Sequence, residues 1–242
     1  MEIRKSFILA KKEFFILSNS PVFYGICLFF MLFCSIWFFY LQRFFSMNMA
    51  TFRPYFAAFP AAFILVIPVI TMKSWAEERK LGSIELLLTI PFSEWELVLG
   101  KFIAAFGTVV VFLLLSLPVP LSILPLGQFD IGVLVGEYLG ALLLGASASA
   151  LGLLLSSLSK NQAGAFLGSV AVLLFTMLIN QLTLSLSLPA VMAEGINFVS
   201  LSFHFESFSK GIIDTRDFAY FIITTILFLF LNTQIILFRK WS

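Results

Sequence analysis

Six stretches of this chain are almost free of charge and run for about twenty residues or more, the length a helix needs to cross the hydrocarbon core of a bilayer. They fall at about 22–41, 55–75, 97–117, 131–158, 163–182 and 218–238. In lipid a spanning segment must satisfy its own backbone polar groups, and for runs of this length the helix does so. The pattern therefore predicts an all-α integral membrane protein with six transmembrane helices. Composition agrees: of 242 residues 60% are hydrophobic and 12% charged, against about 25% charged in a soluble domain. A soluble globular enzyme and a disordered chain are both excluded, and a net charge of +2 gives no basis for a nucleic-acid partner. The first stretch exceeds the apolar core of a signal peptide and no small-residue cleavage site follows it, so it reads as a retained helix. Pro60 and Pro68 are expected to kink or locally break the second span, and Pro118, Pro120 and Pro125 to end the third.

Lys and Arg set the orientation. The N-terminal segment, residues 73–101, the 159–162 turn and the C-terminal segment carry eleven; the other side carries Arg43, Arg53, Lys210 and Arg216. This predicts a multi-pass membrane protein with both termini in the cytoplasm. Trp37, Tyr40, Trp75, Trp95, Tyr220 and Trp241 fall near span ends, as an interfacial aromatic belt would.

Three segments outside the spans have character of their own. Residues 1–20 place Ile3, Phe7, Ala10 and Phe14 at helical spacing, with Lys5 and Lys12 opposite. That suggests a basic amphipathic helix on the inner membrane surface, or else a basic flank that only sets topology; Ile8 and Leu9 spoil a clean stripe. Residues 73–101, KSWAEERKLGSIELLLTIPFSEWELVLGK, hold nine of the chain's 28 charges. Gly82 should end the helix continuing from span two, Ser83 should cap a short helix with Glu85 in its first turn, and Pro91 should stop it. Ser93 to Glu96 reads as a capping box that opens span three. The short helix is apolar at Ile84, Leu86, Leu87 and Leu88, which suits either a groove on a cytoplasmic partner or the lipid interface. Residues 183–217 are rich in Leu, Ser and Phe with six charges, and predict one or two re-entrant helices on the outer side, turning at Pro189 and Gly195.

Chemistry is conspicuous by its scarcity. There is no phosphate-binding G-x-x-x-x-G-K-[ST], no H-E-x-x-H, no C-x-x-C and no G-x-S-x-G. Cys27 and Cys34 read as small buried hydrophobes, and the one histidine, His204, as a structural residue rather than a metal ligand. No catalytic, cofactor-binding or metal-ligating residue is expected. Glu137, near the outer end of span four, is the one candidate for a polar contact within the membrane. Gly132, Gly136, Gly140, Gly145, Ser149 and Gly152 on span four, with Gly164 and Gly168 on span five, permit close helix approach, within the bundle or at a dimer seam. A proton-driven carrier would be expected to have a relay of buried charges, so energy should come from another subunit.

The stretch from Pro68 to Lys101 resembles the ABC-2 family of transporter permeases. The matching elements are Glu77-Glu78-Arg79, then Gly82-Ser83-Ile84-Glu85-Leu86-Leu87-Leu88-Thr89-Ile90-Pro91, then Leu99-Gly100-Lys101; KKEFFILSNSP before the first span is also similar. Within the family it is most similar to permeases of the gliding-motility type and of the type linked to nitrous oxide reductase maturation. The resemblance implies a type V exporter-like fold in which 83–91 is a coupling helix docking on a separate ATPase subunit. It implies Glu77, Glu78, Arg79, Gly82, Ser83, Glu85, Leu86, Leu87, Thr89 and Pro91 as coupling residues, and ATP with Mg²⁺ bound by the partner rather than by this chain. It also implies a second permease subunit, identical or different, an N-terminal connecting helix, and outer re-entrant helices at 183–217. A non-transporting membrane scaffold and an ion-coupled carrier are the alternatives.

Overall fold

A computed structural model of the chain describes residues 2–46, 50–82, 92–185, 190–212 and 214–240, and among these every regular element is helical. Helix α1 is Glu2–Ser18 and α2 is Pro21–Ile36, the latter closed by a π-turn at Trp37–Leu41. A short α3 (Arg53–Phe56) leads into α4 (Ala58–Lys80). Then follow α5 (Glu94–Ser116), α6 (Pro118–Ile123), α7 (Ile131–Leu158) and α8 (Gln162–Ser185). The last three are α9 (Ala190–Val199), α10 (Leu201–Ser209) and α11 (Thr215–Lys240). Among the described residues six segments are long and apolar enough to cross a membrane: 21–46, 53–80, 94–126, 131–158, 162–180 and 215–239.

The spans α4 and α7 form the centre. Two thirds of their most apolar stretch is buried (67% each), against 17% for the first span and 22% for α8. Phenylalanine packs the neighbouring spans onto them: Phe30 of α2 stacks on Phe63 of α4 and on Phe112 of the α5 span at 5.9 and 5.3 Å, and Phe52, just before α3, stacks on Phe129, just before α7, at 4.4 Å. Glycines let the spans close. A Cβ on Gly140 of α7 would stand 2.6 Å from the Cβ of Phe208 on α10, while Gly145 and Gly152 abut Val109 of α5 and Thr71 of α4. The glycine face of span four is thus used for packing within this chain, not for a seam between copies. Gly168 of α8, by contrast, has open space beside it.

Several expectations change. Helix α4 runs on through Pro68; the break falls at Ala57, three residues before Pro60, which sits in the first turn where no amide partner is needed. Helix α5 does end at Ser116, just ahead of the proline cluster, but Pro118 and Pro120 then start α6 and the apolar run continues to 126. Gly195 lies inside α9, and the turn falls instead at Ser200, whose hydroxyl caps α10 by accepting from the Phe203 amide. Of residues 183–217, 183–185 complete α8 and 215–217 open α11, while Pro189 lies outside the described residues.

Helix α1 is present, but its buried face is not the predicted stripe. Leu9 and Ala10 are buried against α5 while Phe7, Ile8, Phe15 and Ile16 are more than half exposed. A helix with protein on one side and apolar exposure on another has two apolar faces, so no single stripe describes it. The belt assignment fails for Trp75, which is fully buried, while Tyr220 is half-buried and stacks on His204 at 3.7 Å. Tyr40 and Trp95 are exposed. Trp241 lies outside the described residues.

Candidate functional site

The acid-rich end of α4 and the start of α5 come together at the end of the bundle that carries α1. Gly82 closes α4 in the left-handed region (φ 68°), as a helix-terminating glycine does. One turn earlier, the Arg79 guanidinium donates to the carbonyls of Ser157 and Ser159 at the C-terminus of α7. Those last carbonyls have no partner within their helix and carry the negative end of its dipole, so a forked cation suits them. Ser156 adds a second tie: its hydroxyl accepts from the amides of Trp75 (3.2 Å) and Ala76 (3.3 Å) and donates to the Met72 carbonyl (3.2 Å).

On the other side of residues 83–91, α5 opens with the predicted capping box. The Glu96 carboxylate accepts from the Ser93 amide at 2.8 Å, and the Ser93 hydroxyl accepts from the Glu96 amide at 3.3 Å. One and a half turns on stands Lys101, a side chain with 1% of its surface exposed. Its Nζ donates to Glu78 Oε1 of α4 (2.7 Å), to the Ser74 carbonyl (2.8 Å) and to Glu13 Oε1 of α1 (3.4 Å), and lies 4.8 Å from the Trp75 ring centroid. An ammonium has three donors, and all three are used. Gly100, just before it, receives Leu9 of α1 so closely that a Cβ there would stand 2.7 Å from Leu9 Cδ2.

The chain on each side of 83–91 is therefore anchored by polar contacts to three different helices: α7 through Arg79, and α1 and α5 through the Lys101 cluster. Of the predicted coupling residues, Glu78 and Arg79 are in these contacts, Glu77 is half-buried beside them, and Gly82 makes the turn. Ser83, Glu85, Leu86, Leu87, Thr89 and Pro91 lie outside the described residues. Sequence reasoning missed Lys101, Glu13 and Ser156. Lys101 had a signal, a lone cation inside an apolar span, and it was masked by being counted among the positive flanks.

At the far end, Glu137 of α7 is fully buried with no hydrogen-bond partner for either carboxyl oxygen. It lines a cavity of about 190 Å³ together with Arg53, Asp130 and Lys210. His204 is engaged at both ring nitrogens: Nε2 lies 3.0 Å from the Phe198 carbonyl and Nδ1 2.6 Å from the Asp217 carboxylate. That ties α9, α10 and α11 together, the structural role expected of it. Among the described residues no group of three or more His, Cys, Asp or Glu side chains could hold a metal.

Six apolar spans, a glycine-packed core and a connection anchored on both sides define a polytopic helical membrane protein. The sequence pattern of the ABC-2 family transporter proteins matches residues 41–238, and the chain belongs to that family. The match takes in Glu78, Arg79, Lys101 and Ser157, whereas α1 with Glu13 precedes it. No curated protein matches the chain.

Proposed function

We propose that this chain is the permease subunit of an ABC transporter, which moves a substrate across a bacterial inner membrane using ATP hydrolysed, with Mg²⁺, by a separate nucleotide-binding subunit. The observation that carries the reading is the double anchoring of residues 83–91. A segment whose flanks are keyed to α1, α5 and α7 by part-buried polar contacts passes a push on it to the bundle rather than sliding independently. In this reading 83–91 is the coupling helix, with Ser83, Glu85, Leu86, Leu87, Thr89 and Pro91 facing the ATPase. Glu77, Glu78, Arg79 and Gly82 join it to α4, and both termini lie in the cytoplasm beside it. The exposed faces of α2 and α8 suit a second permease subunit, and closure of the ATPases would shift the two bundles against each other. Similarity of the 68–101 stretch to the gliding-motility and nitrous-oxide-reductase-maturation permeases supports placing it in that subgroup.

The test is co-purification of the chain with a Walker-motif ATPase encoded beside it, comparing wild type with Glu85→Ala and Leu86→Ala. The expected result is loss of ATPase binding and of permease-dependent turnover in both. Unchanged binding and turnover in both variants would refute the docking role of 83–91.

A further inference from the structure

Helix α7 runs from a cavity of about 190 Å³ at its start to the Arg79 contacts at its end. At about 30 Å³ of liquid volume per water, that is room for roughly six non-hydrogen atoms. The charges that line it are layered by depth. Asp130 and Glu137 are seven residues apart, which sets them on one side of α7 with about 10 Å of rise between them. Asp130, at the helix start, uses its Oδ1 to accept from the amides of Gly132 (2.8 Å) and Val133 (3.3 Å). Glu137, two turns deeper, is fully buried, and neither of its carboxyl oxygens has a hydrogen-bond partner. Arg53 opens α3 and Lys210 caps the end of α10; both are exposed and so stand at the mouth. Lys210 pairs with Glu206 at 2.9 Å, whereas no ion pair among the described residues engages Arg53. The cavity therefore has an acceptor without a donor at its floor and a forked donor without an acceptor at its mouth.

We propose that this cavity is a binding site for a small zwitterion of the ω-amino-acid class, held with its ammonium inward. The ammonium donates to the Glu137 carboxylate, and the ligand's carboxylate meets the Arg53 guanidinium, whose fork suits a carboxylate. A buried carboxyl without a donor is strongly unfavourable, and such a ligand relieves it. The order of charges selects the occupant. A simple cation would have to enter past Arg53 and Lys210, and a simple anion would end against Glu137. A chain between the two charges suits groups set at different depths better than the adjacent charges of an α-amino acid do. No residue of α2 or α8 lines the cavity, and neither do the anchors that flank 83–91. Its occupancy is therefore independent of ATPase docking and of the face offered to a second subunit.

The test is equilibrium binding of tritiated β-alanine, a molecule of that size, to the full chain purified in mild detergent, read by scintillation proximity. Competitors are n-propylamine and propionate, which carry one charge each on a similar chain. The expected result is saturable binding of one β-alanine per chain, with each competitor weaker than unlabelled β-alanine by roughly tenfold. Glu137→Gln keeps the shape and removes the charge, and should weaken binding by roughly tenfold or more. Arg53→Gln should weaken it by roughly a few-fold, because its contact is exposed. Both variants should melt no lower than wild type, since neither breaks a side-chain contact seen among the described residues. Absence of saturable β-alanine binding would overturn the proposal, as would binding unchanged in Glu137→Gln or displacement by n-propylamine as effective as by β-alanine. So would an Arg53→Gln variant that melts well below wild type, since Arg53 would then turn inward and itself be the partner of Glu137.

Discussion

Replacing Lys101 by Met keeps the length and most of the volume of the side chain and removes its charge, which leaves Glu78 and Glu13 without the ammonium that bonds them both. The two carboxylates retain only 20% and 18% exposure. Removing one partner of a buried pair typically costs 3–5 kcal/mol because the other charge stays behind, and the partial exposure places this case near the lower end, at about 3 kcal/mol. For a chain of this size each kcal/mol moves the melting temperature by roughly 2–4 °C, so Lys101→Met should lower Tm by roughly 6–12 °C. The chain supplies its own control. Lys210 pairs with Glu206 at 2.9 Å, almost the same distance as Lys101 with Glu78, but 47% and 49% exposed. Lys210→Met should therefore cost at most about 0.5 kcal/mol. The assay is thermal unfolding of the detergent-solubilised chain at fixed detergent concentration, followed by intrinsic fluorescence. Adding Glu78→Gln to Lys101→Met should recover part of the loss, since it takes away one stranded charge. If Lys101→Met melts with Lys210→Met, or if the double variant is no better than Lys101→Met, the Lys101 cluster does not hold this end of the bundle together.

Other substitutions separate the remaining contacts. Gly140→Ala should destabilise by about 1–3 kcal/mol through overpacking against Phe208, whereas Gly168→Ala, with nothing near it, should gain up to about 1 kcal/mol of helix propensity; paired melts read both. Arg79→Lys should not rescue Arg79→Ala, because the two carbonyls are met by two separate nitrogens of a longer, planar fork whose spacing a single ammonium nitrogen does not reproduce, and limited proteolysis between residues 79 and 94 should speed up in both variants. Glu137→Leu should raise stability by about 1–3 kcal/mol, since it removes a buried carboxyl without a hydrogen bond; a lower Tm would mean that the carboxyl has a partner in the membrane-embedded protein.

What the sequence revealed depended on how far its signals reach along the chain. The six spans were legible because burial in lipid demands a continuous apolar run, which a window of residues contains in full. The capping box at Ser93 and Glu96 and the helix stop at Gly82 were legible for a similar reason: each is local, with partners within three residues. The Lys101 cluster was not, since its partners are 88 and 23 residues away and a lysine at a span's start looks like any topology-setting cation. Trp75 was misplaced on the same ground. A tryptophan at a span end reads as interfacial, and only the fold reveals that α5 brings an ammonium over its ring. Gly195 misled in the opposite direction, because a helix tolerates glycine at about 1 kcal/mol when packing elsewhere fixes the turn.

The buried lysine is better understood as a device for register than for stability. Apolar packing alone fixes how closely α1 approaches α5 but penalises sliding along it only weakly, since one leucine contact resembles the next. Leu9 and Glu13 are four residues apart and lie on one face of α1. Leu9 seats on Gly100, the glycine that allows the close approach, and Glu13 meets the lysine at the next position. A one-turn slip, about 5.4 Å, would carry Glu13 out of reach of Nζ and strand it on a buried surface. The same Nζ fixes Glu78, which precedes Arg79 by one residue, and Arg79 in turn grips the end of α7. Four helices that meet at this end, α1, α4, α5 and α7, thus share a single alignment, in the role for which buried ionic groups are best attested, and the segment 83–91 emerges from that alignment on both of its sides.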